Sequence, residues 1–403
     1  MTTTGWSGYQ KLVVFLIALT IIFDGVDNQL LGIAIPSIMR DWSVPRAPFA
    51  FVLACGMFGM MLGGALAGLV GDRFGRKVAL LGSVVVFGVL TLAAAAAQDL
   101  TTLAVLRFLA GLGLGGAMPN AAALASEFVP GRSRAFAVTL AIVCVPLGGM
   151  LAATLAEFLL PAMGWRGLFV AGGVLPLIAV AGLAKVLPES PQFLAGKTDA
   201  SANRASIAVL FQPMLRRDTI GLWMAFFACL LGVYMAFNWL PTLLAGAGLA
   251  AISSRGILAF NLGGVVGAIL AGLVIGRAGS RPTMLTMAAG AVICAGVLAA
   301  MPMSGSTAVS VMLMLTITGA LINAVQTTMY ALAAHVYPTM IRATGVGTAV
   351  AFGRAGGVLS TYAGSWALTS GGTPRFFQMM AGAMVVVFVG LALVRSHIKR
   401  VKG

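Results

Sequence analysis

Charged residues are scarce in this chain. Asp, Glu, Lys and Arg together make up 9% of its 403 residues, whereas about a quarter of the residues in a soluble domain are charged. Hydrophobic residues make up 60% of the chain, and the mean hydropathy is +1.02. This composition excludes an ordinary soluble domain and indicates a polytopic helical membrane protein.

The residues that enzymes use for chemistry are also few. The four cysteines, which are Cys55, Cys144, Cys229 and Cys294, lie in four different apolar stretches without a Cys-x-x-Cys pair. The two histidines are far apart, and the chain contains no Ser-His-Asp array and no phosphate-binding glycine loop. The sequence therefore predicts a protein that is not an enzyme and that needs no metal or cofactor.

Apolar stretches of about 20 residues recur along the whole chain, and this length crosses about 30 Å of hydrocarbon as a helix. A β-barrel would show short alternating segments instead. We therefore predict an all-α membrane protein with twelve transmembrane helices. The predicted spans are 11–38, 49–70, 78–97, 102–128, 134–158, 165–187, 219–244, 255–276, 282–301, 307–336, 343–369 and 375–395.

Lysine and arginine concentrate on one set of loops. The loops on the other side hold only Arg40, Arg46, Arg166, Arg255 and Arg375. Because cytoplasmic loops carry the excess of positive residues, we expect both termini in the cytoplasm and the protein in the cell inner membrane. The net charge of +15 is spread over short loops, which predicts contact with anionic lipid headgroups and no nucleic-acid binding.

The two halves of the chain contain similar motifs. Glu127–Arg134 resembles His335–Arg342 at an offset of 208 residues, and Gly71–Arg76 has a degraded counterpart in Gly276–Arg281. We predict an N-terminal six-helix bundle at 1–187, a cytoplasmic linker at 188–218 and a C-terminal six-helix bundle at 219–403. Two related halves with a site between them are typical of alternating-access carriers.

Ionisable residues inside apolar spans are candidates for function because burying a charge in hydrocarbon is costly. Asp24 and Asp27 lie in the first span. At a spacing of three residues they project to one helix face, and two carboxylates in low dielectric favour protonation of one of them. Capping of a helix break around Gly25 is the alternative for this pair.

Two arginines also lie inside spans. Arg354 is near the middle of the eleventh span, and the matching position in the repeat is Pro146. Guanidinium presents two parallel donors to a carboxylate, so Arg354 is a candidate for binding an acidic substrate. An ion pair with Asp24 or Asp27 is its alternative. Arg107 in the fourth span is a second substrate-binding candidate, or it snorkels to the outer interface.

Further cavity candidates are polar or aromatic residues within spans. Substrate-binding candidates are Asn323, Gln326, Tyr330, Tyr234, Phe237, Asn238 and Trp239. The first three form a polar stripe that could bind ring hydroxyls or join helices. The other four lie in one segment of the seventh span, where an aromatic ring could stack. An interfacial aromatic belt is the alternative for Trp239. His335 could relay protons or cap the interface.

Several motifs carry a resemblance. Gly68–Lys77 matches the G-x-x-x-D-R-x-G-R-K loop of the major facilitator superfamily without a gap, and Pro188–Pro191 is also similar to that superfamily. Asp24–Asp27, Arg107–Asn120 and Tyr337–Gly347 resemble the aromatic acid/proton symporters, with hydroxyphenylpropionate and hydroxybenzoate carriers nearest. The resemblance covers essentially the whole chain, but the loop at 276–281 lacks its acid.

The resemblance implies roles for particular residues. The paired acids of that family act in proton coupling, which assigns this role to Asp24 and Asp27. The resemblance implies gating roles for Asp72, Arg73, Arg76, Glu127 and Arg134. We predict a secondary active transporter that imports an aromatic carboxylate with protons as a monomer in the bilayer. The alternative is a proton-coupled drug or metabolite efflux antiporter of the same superfamily.

Overall fold

The computed structural model describes residues 7–130, 134–195, 207–338 and 341–400. Within these ranges it does not describe the side chains at 68, 72, 134–139, 192 and 343. All regular elements in the described residues are helical, which confirms the predicted all-α class.

The chain divides into two compact units. Unit 1 contains Met1–Ser43 and Cys55–Ala200, and unit 2 contains Val44–Ala54 and Ser201–Gly403. The main division falls inside the stretch 188–218, where the sequence predicts a linker. Grouping of Val44–Ala54 with unit 2 is a feature that the apolar pattern does not indicate.

Unit 1 is built from long apolar helices and one short helix after the last of them. The Ser7 side chain caps the first helix, and the Asp99 carboxylate accepts a hydrogen bond from the Thr102 amide at the start of the fourth. Because this hydrogen bond from Thr102 favours the charged carboxylate, the pKa of Asp99 lies below its usual range. The helices are α1 Gly8–Trp42, α2 Phe49–Phe74, α3 Arg76–Ala94, α4 Leu100–Phe128, α5 Arg134–Val186 and α6 Pro191–Leu194.

Unit 2 has a similar series of long helices. Its helices are α7 Arg216–Gly246, α8 Ser253–Ala278, α9 Ser280–Ala300, α10 Ala308–Val336 and α11 Arg342–Leu393. Short 3₁₀ helices lie at Ile207–Phe211, Ala250–Ile252 and Gly305–Thr307. The predicted linker therefore contains two short helical turns, and α7 begins three residues before the predicted span.

Two helices are interrupted by a glycine in a left-handed conformation. Gly164 in α5 has φ 65° and ψ −167°, and Gly372 in α11 has φ 62° and ψ −148°. Glycine adopts positive φ without the Cβ penalty, so the chain can change direction there. Both positions lie in the gaps predicted between consecutive spans. Among the described residues, ten helices are long and apolar enough to cross a membrane.

Small residues bring the helices of unit 1 close together. A Cβ at Gly25 would overlap the Val145 carbonyl, and a Cβ at Gly148 would overlap that of Ile22, so α1 and α5 touch through their backbones. Gly59 packs in the same way on the Phe108 carbonyl, which confirms the expected packing role of such residues. Because α1 continues without interruption through Gly25, the alternative of a helix break at that position is wrong.

Candidate functional site

A buried ion pair lies at the centre of unit 1. The Arg107 guanidinium donates to the Asp27 carboxylate through both terminal nitrogens, with Nη1–Oδ2 at 3.1 Å and Nη2–Oδ1 at 3.3 Å. Asp27 is 1% exposed and Arg107 is 5% exposed. This two-pronged contact on parallel donors is the geometry that carboxylates favour with arginine. It joins α1 to α4 by the side chains of two residues that are 80 positions apart.

Two further residues complete this cluster. The Thr91 hydroxyl of α3 donates to Asp27 Oδ1 and accepts from Arg107 Nη2 at 2.6 Å. The ring of Phe169 in α5 lies 5.3 Å from the Arg107 guanidinium carbon, which is a cation–π contact. Sequence reasoning missed both residues. The available signal was that Thr91 is one of only two hydroxyl residues in the apolar helix α3.

The cluster changes the expectations for its charged members. Arg107 does not snorkel to an interface, because its guanidinium is buried against Asp27 and Thr91. Within unit 1 the partner of Asp27 is Arg107. Asp24 is also buried, at 3% exposed, one turn earlier in α1. Two acids and one arginine of unit 1 are therefore buried.

A second charged group lies within unit 2. The half-buried Arg354 guanidinium of α11 and the Tyr234 hydroxyl of α7 both interact electrostatically with the Tyr330 hydroxyl of α10. The Tyr330 ring packs edge-on against Phe226, with ring centroids 5.2 Å apart. Three helices thus bring one cation, two phenols and an aromatic ring into one neighbourhood. This set can pair with an anion and contact an aromatic group.

The position of Arg354 follows from the packing of α11 on α7. Gly353 lies against Phe226 and Leu230, and a Cβ at Gly356 would overlap the Phe227 carbonyl. Side chains at these two glycines would hold α11 away from α7. The sequence Gly353-Arg354-Ala-Gly356 therefore places the arginine where the two helices approach closely.

The remaining aromatic candidates have mostly packing roles. Trp239 is fully buried, and its indole nitrogen donates to the Thr361 carbonyl at 3.0 Å. Its ring has no face at an interface, so the aromatic-belt alternative is wrong, and no face is available to stack on a substrate in this conformation. Phe237 is also buried and meets Phe260 and Tyr234 edge-on at 6.1 Å and 5.9 Å.

The three residues of the polar stripe of α10 differ in their burial. Asn323 is buried, donates to the Gly319 carbonyl at 2.9 Å and packs on Gly264 of α8. Asn323 therefore takes part in helix–helix packing, which is the alternative predicted for the polar stripe. Gln326 and Tyr330 are only half-buried. Asn238 of α7 is 2% exposed, and its side-chain nitrogen has no hydrogen-bond partner among the described residues.

Two of the predicted gating residues of unit 1, Arg76 and Glu127, meet where α3 begins and α4 ends. Arg76 Nε lies 3.6 Å from Glu127 Oε1, and Glu127 also accepts a hydrogen bond from Ser190. Glu189 accepts from the Lys77 amide at 2.9 Å and so caps α3. Arg73 is exposed and lies over the neighbouring Phe74 ring. The side chains of Asp72 and Arg134 lie outside the described residues.

The matching loop of unit 2 is held by the C-terminal segment. Gly75 and Gly279 precede α3 and α9 with φ 97° and 85°, so the two loops turn alike. Ser280 donates its amide to the Ile398 carbonyl at 2.9 Å, and its hydroxyl contacts His397 Nδ1 at 3.0 Å. Burial lowers the pKa of His397, and the nearby Arg281 adds to that effect. His335 is exposed in the last turn of α10.

Comparison with known proteins identifies the family. Residues 17–361 match the Major Facilitator Superfamily. The chain is 34% identical to the gallate transporter of Pseudomonas putida, covering 97% of this chain and 94% of that one. It is 35% identical to the 3-(3-hydroxy-phenyl)propionate transporter of Escherichia coli, covering 97% and 95%. It is 33% identical to the 4-hydroxybenzoate transporter PcaK of Acinetobacter baylyi, covering 96% and 90%.

Solved structures agree at the level of the fold. The xylose transporter XylE from Escherichia coli, in an inward-open conformation, superimposes with a TM-score of 0.80 at 17% identity and covers 97% of both chains. The chain therefore belongs to the major facilitator superfamily, as its loop motif predicts, and it is a transporter rather than an enzyme.

Proposed function

We propose that this member of the major facilitator superfamily imports an aromatic carboxylate together with protons by alternating access. The observation that carries the proposal is the packing around Arg354, since the adjacent Gly353 lies against Phe226, the residue on which the Tyr330 ring packs edge-on. An aromatic acid offers an anion for the arginine and a ring for the surrounding aromatic residues. Similarity over nearly the full chain to carriers named for gallate, hydroxybenzoate and hydroxyphenylpropionate supports this substrate class.

The proposed membrane arrangement has twelve crossings. Counting α5 and α11 as two spans each, because of the breaks at Gly164 and Gly372, adds two to the ten apolar helices. The two units are then two six-helix halves, with residues 188–218 as a cytoplasmic linker. The distribution of lysine and arginine supports an inner-membrane protein with both termini in the cytoplasm. Its monomeric state and its lack of nucleic-acid binding stay predictions.

The proposed coupling site is the charged cluster of unit 1. Asp27 is held by Arg107 and Thr91, and Asp24 lies one turn away in the same helix. A carboxylate that exchanges an arginine partner for a proton changes the charge of a buried site by one unit. Such an exchange gives a transport cycle a means to depend on protons. No nucleotide-binding signature is present in the sequence, which is why we propose the proton gradient as the energy source.

Uptake into proteoliposomes tests the proposal. Labelled 4-hydroxybenzoate should accumulate when the external side is acidic, and a protonophore should prevent accumulation above equilibrium. Accumulation that survives loss of the proton gradient and follows sodium or ATP would contradict symport. Extrusion in right-side-out vesicles would instead support the antiporter alternative.

The carboxylate role of Arg354 needs its own test. Arg354→Lys keeps the charge but cannot reproduce two parallel donors, so it should weaken binding of the acid. Binding of the methyl ester should change little, because the ester has no charge for the arginine to pair with. Equal weakening for acid and ester would show that Arg354 supports the structure and does not bind the carboxylate.

A further inference from the structure

The segment that follows α11 is held against the rest of unit 2 by several hydrogen bonds. The amides of Arg395 and Ser396 donate to the buried Asp218 carboxylate at 2.7 Å and 3.3 Å. Further along, the Ile398 amide donates to Ser280 Oγ at 2.8 Å, and the Ile398 carbonyl accepts from the Ser280 amide at 2.9 Å. The segment therefore joins the first turn of α7 to the first turn of α9.

A histidine lies at the centre of this segment, residues 395–400, which we call the C-terminal clasp. His397 Nδ1 lies 3.0 Å from Ser280 Oγ, and His397 Nε2 lies 3.1 Å from the carbonyl oxygen of Leu391 in α11. A carbonyl oxygen only accepts hydrogen bonds, so Nε2 carries a hydrogen. In the neutral ring Nδ1 is then an acceptor, and the Ser280 hydroxyl donates to it.

Protonation of His397 removes the acceptor of the Ser280 hydroxyl. With a hydrogen on Nδ1, both ring nitrogens can only donate. Ser280 is 0% exposed, and a buried donor that loses its partner is costly. Because the same hydroxyl oxygen accepts from the Ile398 amide, the change reaches the backbone contact that holds the clasp on α9.

The charges around His397 determine the direction of its response to pH. The groups that face it are Arg281 of α9, His335 of α10 and Asp218 of α7. Burial lowers the pKa of His397, and Arg281 and His335 act in the same direction, whereas the Leu391 carbonyl and Asp218 oppose them. The clasp itself carries further cations at Arg395, Lys399 and Arg400. The neutral clasp is therefore complete above about pH 6.5 and weakens as the pH falls through the lower folded-state pKa.

The corresponding contact in unit 1 uses a carboxylate. Glu189 follows α5 as His397 follows α11, at the offset of 208 residues that also relates Glu127 to His335. The Glu189 carboxylate accepts from the Lys77 amide in the first turn of α3. Histidine is the residue type that ordinarily changes its charge between about pH 5 and pH 8, and glutamate is not. Unit 2 thus has a titratable imidazole where unit 1 has a carboxylate.

We propose that the C-terminal clasp is a pH-sensitive switch, which releases the start of α9 when His397 takes up a proton. On the proposed topology the clasp lies on the cytoplasmic side, to which a proton symporter delivers its protons. Acid on that side would then free the ends of α7, α9 and α11 from one another. The switch goes beyond the proposed function, and only its cytoplasmic placement rests on that proposal.

Hydrogen exchange on the full-length protein in detergent micelles tests the switch without a substrate. Protection factors of the Arg395, Ser396 and Ile398 amides are compared at about pH 7.5 and about pH 5.5, after correction for the intrinsic pH dependence of exchange. In the wild type they should fall roughly 10-fold at the lower pH. The Lys77 amide, which Glu189 holds in unit 1, is the internal control and should keep its protection.

Three variants make the result specific. His397→Gln keeps a donor and an acceptor but cannot titrate, so its clasp amides should be equally protected at both pH values. Ser280→Ala removes the hydroxyl that contacts both the ring and the Ile398 amide, so protection should be low at both. His335→Gln should retain the wild-type fall.

Two outcomes would overturn the switch. One is a fall in protection that persists in His397→Gln, because another group would then be responsible for it. The other is equal protection of the wild-type clasp at both pH values. Both outcomes leave the proposed function untouched, because no substrate takes part in the measurement.

Discussion

Removal of one partner of the Asp27–Arg107 pair gives the sharpest test of the unit 1 cluster. Asp27→Asn leaves the guanidinium buried without the charge of the carboxylate, beside the neutral amide, the Thr91 oxygen and the Phe169 ring. Breaking a buried pair by loss of one member costs about 3–5 kcal/mol. We take the lower end, about 3 kcal/mol, because the cation–π contact with Phe169 compensates part of the loss.

The two single variants should respond differently to pH. Arginine cannot lose its proton in a protein, so the cation that Asp27→Asn leaves behind cannot become neutral as the pH falls. In Arg107→Met the abandoned carboxylate can become neutral by taking up a proton. This variant should therefore regain stability as the pH falls.

The double variant Asp27→Asn/Arg107→Met separates stability from coupling. Because neither charge remains, it should be more stable than Asp27→Asn alone. It should still fail in proton-driven uptake, since the carboxylate that we propose for proton coupling is gone. Unfolding is followed by tryptophan fluorescence in detergent micelles, and uptake is measured in proteoliposomes. A double variant whose destabilisation equals or exceeds the sum of the two single ones would refute the energetic coupling of the pair.

Three further predictions concern other parts of the fold. Gly148→Ala should destabilise the protein by about 1–3 kcal/mol, because the new methyl group overlaps the Ile22 carbonyl, whereas Gly182→Ala, where no atom is near, should not. Glu189→Gln should cost about 0.5–2 kcal/mol through the weakened cap on the Lys77 amide, and unfolding curves at pH 7 measure this directly. Because burial lowers the pKa of His397 below its unfolded value of about 6.5, the neutral imidazole is favoured in the folded state. Its stabilising contribution should be complete above about pH 6.5 and lost as the pH falls through the lower folded-state pKa. Melting temperatures of wild type, His397→Gln and the exposed-site control His335→Gln should show a smaller acid-induced drop only for His397→Gln.

The positions of the helices follow from local features of the sequence. Continuous apolar runs predict the long helices to within a few residues, and the breaks in α5 and α11 occur at Gly164 and Gly372 inside the predicted gaps. The loop Gly68–Lys77 predicts the superfamily because its residue types must recur at fixed spacing in one short segment. These features can be predicted because the residues that determine each helix or loop lie within about 20 residues of one another in the chain.

Partners between helices are decided only by the tertiary structure. The sequence places two acids and two arginines well inside spans, but it does not say that Asp27 pairs with Arg107, because helix rotation and packing set the direction of each side chain. The same limit applies to Trp239, for which the sequence predicts substrate contact or an interfacial belt, whereas the tertiary structure buries it completely and bonds its indole nitrogen to the Thr361 carbonyl. Asn238 and Asn323 look alike as lone amides in apolar helices. They differ because the Asn323 side chain donates to the Gly319 carbonyl of its own helix, whereas the Asn238 side-chain nitrogen has no hydrogen-bond partner among the described residues.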